Sequence, residues 1–345
     1  MTTSIVRLGL ALAAFLLAAP QGHAADAVTD FYKGKNVYLH IGSGTGGGYD
    51  ALGRVVARHI GKHIPGTPNV VVQNIPGGGS LAMANQFGNT TARDGTVFGL
   101  MNNGAPTTPL LTPSAAHYDA RKFSFLGSPS REVQILVVWH TAPVKTIEET
   151  FTKELIVGAS APGGAPYDYA LLTNAILGTK FKIITGYSGG GETKLAMQRG
   201  EIHANAALGW AAAKAEYMDL IDKKELLIVA QYGFKNHHEL THLPLFPLGK
   251  NDEERQLFQL MYSRQDYGRP FAMPPEVPAD RVAAMRKAFE DTMKDPGFVA
   301  EMNKLNLEID PVTWQELQEL TNAVYNTPAS VQKRMQDVLN SAKKQ

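Results

Sequence analysis

Two kinds of stretch in this sequence carry residue types and spacings suited to chemistry. The first is His238-Glu239-Leu240-Thr241-His242, a literal H-E-x-x-H. On a helix, that spacing puts two imidazoles on one face as zinc ligands, with the glutamate beside them as general base. Here Gly233 and Asn236 precede it, Pro244 and Pro247 follow, and no long apolar helix surrounds it. The expectation is therefore a surface loop with no metal and no catalytic residues, and a zinc peptidase stands as the enzyme alternative. His59 and His63, also four apart, read as a solvated helix face. Ser43, Ser80, Ser160 and Ser188 sit in loops, but none lies in a G-x-S-x-G elbow.

The second kind is the glycine run. Ile41-Gly42-Ser43-Gly44-Thr45-Gly46-Gly47-Gly48-Tyr49-Asp50 follows the strand-like Val37-Tyr38-Leu39-His40, and Leu52, Val55, Val56 and Ile60 follow at helical spacing. Strand, glycine loop and helix in that order make an anion cradle, because glycine admits close backbone approach and a helix start offers unpaired N–H groups. Gly42, Gly44 and Gly47 satisfy G-x-G-x-x-G, but a dinucleotide fold also needs an acid after the second strand, where this chain has Gln73-Asn74. The run at Gly189 lacks the Lys-Ser/Thr ending of a phosphate loop. Asp50 is expected to cap the helix, to touch a ligand, or both; Glu192 is expected to cap. Arg131, Arg264 and Arg269 lie where the chain should cross between lobes and could reach a second carboxylate.

The elements that must position these loops come in two series. Asp26 to Lys35 reads as a polar lead-in. Val70 to Val72 leads into Pro76-Gly77-Gly78-Gly79-Ser80 and a helix from Leu81, and Thr96 to Met101 leads into Asn102-Asn103. This alternation predicts a parallel sheet with ligand loops at the carboxyl ends of its strands. In the second series Ile135–Trp139 is a strand and 147–151 a helix. Leu155–Val157 leads into Ser160 to Ala165, and 181–184 into Tyr187-Ser188-Gly189-Gly190-Gly191, with a helix from Thr193. The C-terminal part is helical, with a cap at Asp295-Pro296 and a capping box from Thr313 to Glu316.

A chain of 345 residues exceeds one compact core, which predicts two lobes. Residues 1–24 read as a secretory leader: Arg7, an apolar core from Leu8 to Ala19, and Gly22-His23-Ala24 before cleavage. The 33 Lys and Arg less Arg7 leave 32, against 32 Asp and Glu, a balance that argues against nucleic acid or an anionic membrane as partner. There is no cysteine.

Taken together, these residues resemble the Bug-type extracytoplasmic solute receptors of tripartite tricarboxylate transporters. Gly46-Gly47-Gly48-Tyr49-Asp50 is similar to that family's P-G-G-G-x-D loop, and Val72 to Gly79 to its V-x-N-x-P-G-A-G-G. Asp94-Gly95-Thr96 resembles its D-G-Y/T element, Tyr187 to Gly191 its Y-K-G-G-G-P, and Pro274 to Phe298 its late helical segment. The chain departs from the pattern at Ser43-Gly44-Thr45, near Ala207 and over Leu260 to Phe271. The resemblance implies an α/β, type II periplasmic-binding-protein fold with two α/β lobes around a ligand cleft. The lobes would be 25–130 with 262–345, and 131–261. It implies a periplasmic monomer that needs no cofactor, binds a small organic acid (a di- or tricarboxylate or an aromatic carboxylate) and delivers it to integral-membrane transporter subunits, or else serves a sensor. The ligand residues it implies are Ser43, Gly44, Thr45, Gly46, Gly47, Gly48, Tyr49 and Asp50 from the first loop, and Gly77, Gly78, Gly79 and Ser80 from the second. Asn102 and Asn103 come from the third. Ser160, Gly163, Ala165, Tyr187, Ser188, Gly189 and Gly190 come from the second lobe.

Overall fold

The computed structural model describes residues 21–341 except 161 and 188, with backbone alone at 21–25. The expected leader therefore lies outside the described residues up to position 20. Among the described residues no helix is long and apolar enough to cross a membrane.

One sheet holds β1 (Asn36–Ile41), β2 (Asn69–Asn74), β3 (Val97–Leu100), β4 (Ser124–Ser128), β10 (Phe271–Met273) and β11 (Val312–Thr313), ordered β11-β4-β10-β3-β1-β2. The other holds β5 (Gln134–Trp139), β6 (Leu155–Gly158), β7 (Phe181–Ile184), β8 (Ala204–Gly209) and β9 (Leu226–Tyr232), ordered β7-β6-β8-β5-β9. In the first sheet β2, β1 and β3 run parallel, as their strand–loop–helix order requires, and β10 enters antiparallel between β3 and β4. In the second, β7, β6 and β8 are parallel while β5 runs antiparallel to β8 and β9. The parallel strands of both sheets aim their carboxyl ends, and so their loops, at the space between the sheets.

The helices are α1 (Gln21–Tyr32), α2 (Gly48–Ile60), α3 (Leu81–Asn89), α4 (Thr108–Leu111), α5 (Ala165–Leu177), α6 (Gly190–Gln198), α7 (Trp210–Glu216), α8 (Met218–Asp222), α9 (Asp252–Tyr267), α10 (Ala279–Met293), α11 (Pro296–Lys304), α12 (Trp314–Tyr325) and α13 (Ala329–Ser341). α2 carries glycines at 48 and 53, which weaken a helix, so its apolar face holds it in place. Leu52, Val55, Val56 and Ile60 are all buried, each contributing about 1.5–3 kcal/mol. Gly53 lets the helix sit close on β1, since a Cβ there would stand 2.4 Å from Ile41 Cδ1. Asp295 caps α11 by accepting from Gly297 and Phe298 N–H, and Thr313 with Glu316 forms the expected capping box on α12.

Three local expectations are corrected. The lead-in at Asp26 to Lys35 is largely helical, because Val28 and Tyr32 bury one face of α1. The helix expected at 147–151 is a single 3-10 turn, Glu148–Phe151. His59 of α2 and His63 just beyond it are only partly exposed and reach across to α11 and its cap, with Nε2 of His59 2.8 Å from Glu301 and Nε2 of His63 2.9 Å from Asp295. α13 packs on α4, α5 and α9, and its Val331, Met335 and Val338 share one apolar cluster with Leu136, Leu155 and Tyr169.

Candidate functional site

Between the two sheets lies a cleft of about 810 Å³. Its walls are built largely from the places where helices begin. The N-cap residues of α2, α5, α6 and α7 are Gly47, Gly164, Gly189 and Gly209, and none provides a side-chain cap. All four line the cleft. Where helices begin elsewhere, α9, α11 and α12 carry side-chain caps from Asn251, Asp295 and Thr313. A helix start leaves N–H groups without intrahelical acceptors and a partial positive charge. A glycine cap leaves those groups open to whatever enters.

In the first loop Ser43, Gly44, Thr45, Gly46, Gly47, Gly48 and Tyr49 all line the cleft, with Asn102 and Asn103 beside them. Asn103 N–H donates to Tyr49 Oη at 3.2 Å, joining first and third loops. Asp50 does not line the cleft. It is buried and accepts from Gly46 N–H at 2.9 Å, Asn74 Nδ2 at 2.9 Å and Arg54 Nε at 3.0 Å. Burial alone would raise its pKa, but the hydrogen bonds from Arg54, Gly46 and Asn74 hold it below the usual carboxylate range. Asp50 is thus the clamp that shapes the loop, and it sits within the first turn of α2, beyond the cap.

The second loop supports the site from behind. Gly77, Gly78, Gly79 and Ser80 are not among the lining residues. All four have positive φ, a conformation that favours glycine and strains Ser80. Ser80 repays that strain: its Oγ donates to Gly42 O at 2.9 Å and accepts from Asn102 N–H at 2.8 Å. A Cβ at Gly42 would stand 2.3 Å from that Oγ, so glycine is required there. Gly79 meets the second lobe, its Cβ position lying 3.6 Å from Gly163 O.

From the other sheet, Ser160, Ala165, Gly189 and Gly190 line the cleft. Gly163 lies just outside, its N–H donating to Asp168 at 3.0 Å, and Tyr187 packs beneath, against the apolar cluster of β5 and α7. Ser188 is not among the described residues. Gly190 has no room for a side chain: Tyr217 Oη donates to its carbonyl at 2.6 Å and would lie 2.9 Å from a Cβ.

Several lining residues carried little signal in sequence. Glu132 comes from the crossover into β5, Gln134 from the start of β5, and Asn205, Ala207 and Leu208 from β8. β8 reads Ala-Asn-Ala-Ala-Leu-Gly, with no β-branched residue, because it is the buried centre of its sheet under α5. The glycine before Trp210 was its readable mark.

The three arginines part ways. Arg131 is surface-paired with Asp310 and Glu316. Arg264 is buried against Asp168 at 2.6 Å and donates to Thr107 Oγ1, away from the cleft lining. Arg269 lines the cleft, yet its guanidinium is engaged: Nε lies 3.4 Å from Glu132 Oε2 and Nη1 donates to Gly48 O at 3.2 Å. Burial pushes the Glu132 carboxyl up, against the pull of Arg269.

The H-E-x-x-H stretch does not form the helix that would put its two histidines on one face. His238–Leu240 is one 3-10 turn, and the ligand-capable group it forms is His237, His238 and Glu239, without His242. The stretch is a 3-10 turn within a longer loop between β9 and α9.

No family model matches the chain, and no curated protein matches it in sequence. Solved structures do match in shape. A TctC solute-binding protein from Polaromonas is 19% identical, with 90% of this chain and 99% of that one covered at a TM-score of 0.62. The periplasmic binding protein BugD is 17% identical, covering 88% and 98% at 0.66. MatC from Rhodopseudomonas palustris, with bound malate, is 16% identical, covering 88% and 99% at 0.64. At these identities the likeness establishes the fold: two α/β lobes of the periplasmic-binding type around a ligand cleft, as the sequence motifs imply.

Proposed function

We propose that this chain is a periplasmic receptor that captures a small organic acid between its two lobes and hands it to the membrane subunits of a tripartite tricarboxylate-type transporter. The observation that carries the reading is the set of glycine-capped helix starts converging on one cleft. Three of these helices, α2, α5 and α6, run for nine residues or more. Their N–H groups and dipoles hold a carboxylate without a basic side chain. Arg269, the basic side chain among the described cleft residues, is already paired and shapes the site instead of supplying free charge.

In this reading the two sheets with their helices are the lobes, the crossovers at Glu132 and Arg269 form the hinge, and closure brings the two sets of helix starts onto one ligand. The amide side chains of Gln134 and Asn205 at the floor orient the ligand's other end. The site binds and does not catalyse, and the leader at 1–24 accounts for export. Malate bound to MatC makes dicarboxylates the first compounds to try.

Thermal unfolding with a panel of mono-, di-, tri- and aromatic carboxylates tests the proposal. A cognate acid at about a hundred times its Kd should stabilise the protein by about 2.7 kcal/mol. If no acid in the panel raises the midpoint, the receptor reading is lost.

A further inference from the structure

Among the described residues, the charged side chains that line the cleft are Glu132, Glu192 and Glu216 against one base, Arg269. That base is already engaged. Its Nε lies 3.4 Å from Glu132 Oε2, and its Nη1 donates to Gly48 O. The helix starts can hold one carboxylate, but a second would enter a wall where acids outnumber bases.

Two acceptor oxygens in that wall lack donors. Glu132 is 6% exposed and Gln134 4%, and neither Oε1 has a hydrogen-bond partner among the described residues. Both converge on Gly209. Gln134 pairs with it between β5 and β8, and a Cβ on it would stand 2.3 Å from Glu132 Oε1. Gly209 lines the cleft, so its missing side chain gives the Glu132 oxygen room on the cleft side. Arg269 and the Ala211 N–H at the start of α7 favour the charged form of Glu132 against its burial. A buried acceptor without a donor is costly and rare, which favours a ligand that brings donors of its own.

We infer that the cleft selects a zwitterionic acid, with its carboxylate on the helix starts and its ammonium group donating to Glu132 Oε1 and Gln134 Oε1. This deepens the receptor reading proposed above and rests on it. An ammonium group suits the wall better than a hydroxyl on two counts. It carries three N–H donors, enough for both oxygens, where a hydroxyl carries one. It also brings the positive charge that the lining lacks, and a charge-assisted bond to a buried carboxylate is the stronger kind. A dicarboxylate brings neither. Arg269 would suit a second carboxylate if it were free, and Glu132 keeps it from that role.

Isothermal titration with acids matched on one carbon skeleton tests this. The series are propionate, lactate and alanine; butyrate, 4-hydroxybutyrate, 4-aminobutyrate and succinate; and 3-phenylpropionate, phenyllactate and phenylalanine. In the series that fits the cleft, the amino acid should bind about 100-fold or more tighter than every other member. Glu132→Gln keeps the size of the side chain, removes its charge and releases Arg269. It should cut the amino preference by about tenfold or more and raise succinate relative to 4-aminobutyrate. Gln134→Leu leaves the ion pair intact, so it should lower the amino preference without that gain for succinate. A general loosening of the fold weakens all members alike and cannot reorder them. Circular dichroism establishes that each variant is folded, and Gln134→Leu carries the test if Glu132→Gln is not. A hydroxy, unsubstituted or dicarboxylic member that binds as tightly as its amino counterpart overturns the inference and leaves the receptor reading standing. An amino preference that survives in the folded variants overturns the assignment to these two residues. If no member of any series binds, the receptor reading falls and the inference falls with it.

Discussion

Ser80 joins three loops through one oxygen, and its replacement shows how much the cleft depends on support from outside it. Ser80→Ala leaves Gly42 O and Asn102 N–H without their partners in a buried place, which costs about 1–3 kcal/mol. Urea unfolding should show that loss, and a carboxylate that binds the parent chain should bind the variant more weakly. Asp50 gives a pH signature at the same scale. Its pKa is depressed in the folded chain, so its stabilisation is present above its unfolded value and is lost as pH falls through the lower, folded one. Asp50→Asn should therefore be less stable than the parent at neutral pH, with the gap closing in acid; a constant gap across the range would contradict the assignment. Neither role was legible residue by residue. The glycine spacing located the loop, but only the fold brings Arg54, Asn74 and Gly46 onto one carboxylate.

Elements were legible where their pattern is local. β1 and α2 follow from apolar runs and helical spacing, and the caps at Asp295 and Thr313 from residue type. β8 and β10 were not, because a short central strand buried on both sides needs small or assorted apolar residues and shows no alternation. The buried pair joining α9 to α5 was equally hidden, since Arg264 and Asp168 are far apart in sequence and meet only through packing. Taking two charges out of water makes such a pair costly to break from one side. Arg264→Met strands the Asp168 carboxylate and should destabilise the chain by about 3–5 kcal/mol in urea unfolding. Adding Asp168→Asn should recover a large part of that; simple additivity would show that the two do not act as a pair.

At the scale of the whole molecule, two sheets with facing loops predict a measurable closure. Small-angle scattering should show the radius of gyration falling when a carboxylate that stabilises the protein is added. An unchanged radius in the presence of a bound acid would mean that the lobes are already closed without it. The two-lobe architecture was legible from the repeated strand–glycine–helix design and the length of the chain. The path of the C-terminal part was not, because helical periodicity says which face is buried and not against what.

That last path has a consequence for biogenesis. The apolar cluster around Tyr169 receives Val331, Met335 and Val338 from the final described helix. A nascent chain therefore cannot close its second core until α13 has been made. Until then Leu136, Leu155 and their neighbours lack part of their cover, and the chain stays open to proteases and holdase chaperones. On the receptor reading proposed above, in which the chain is threaded through a membrane before it folds, a core sealed by α13 keeps the chain loose while it is threaded.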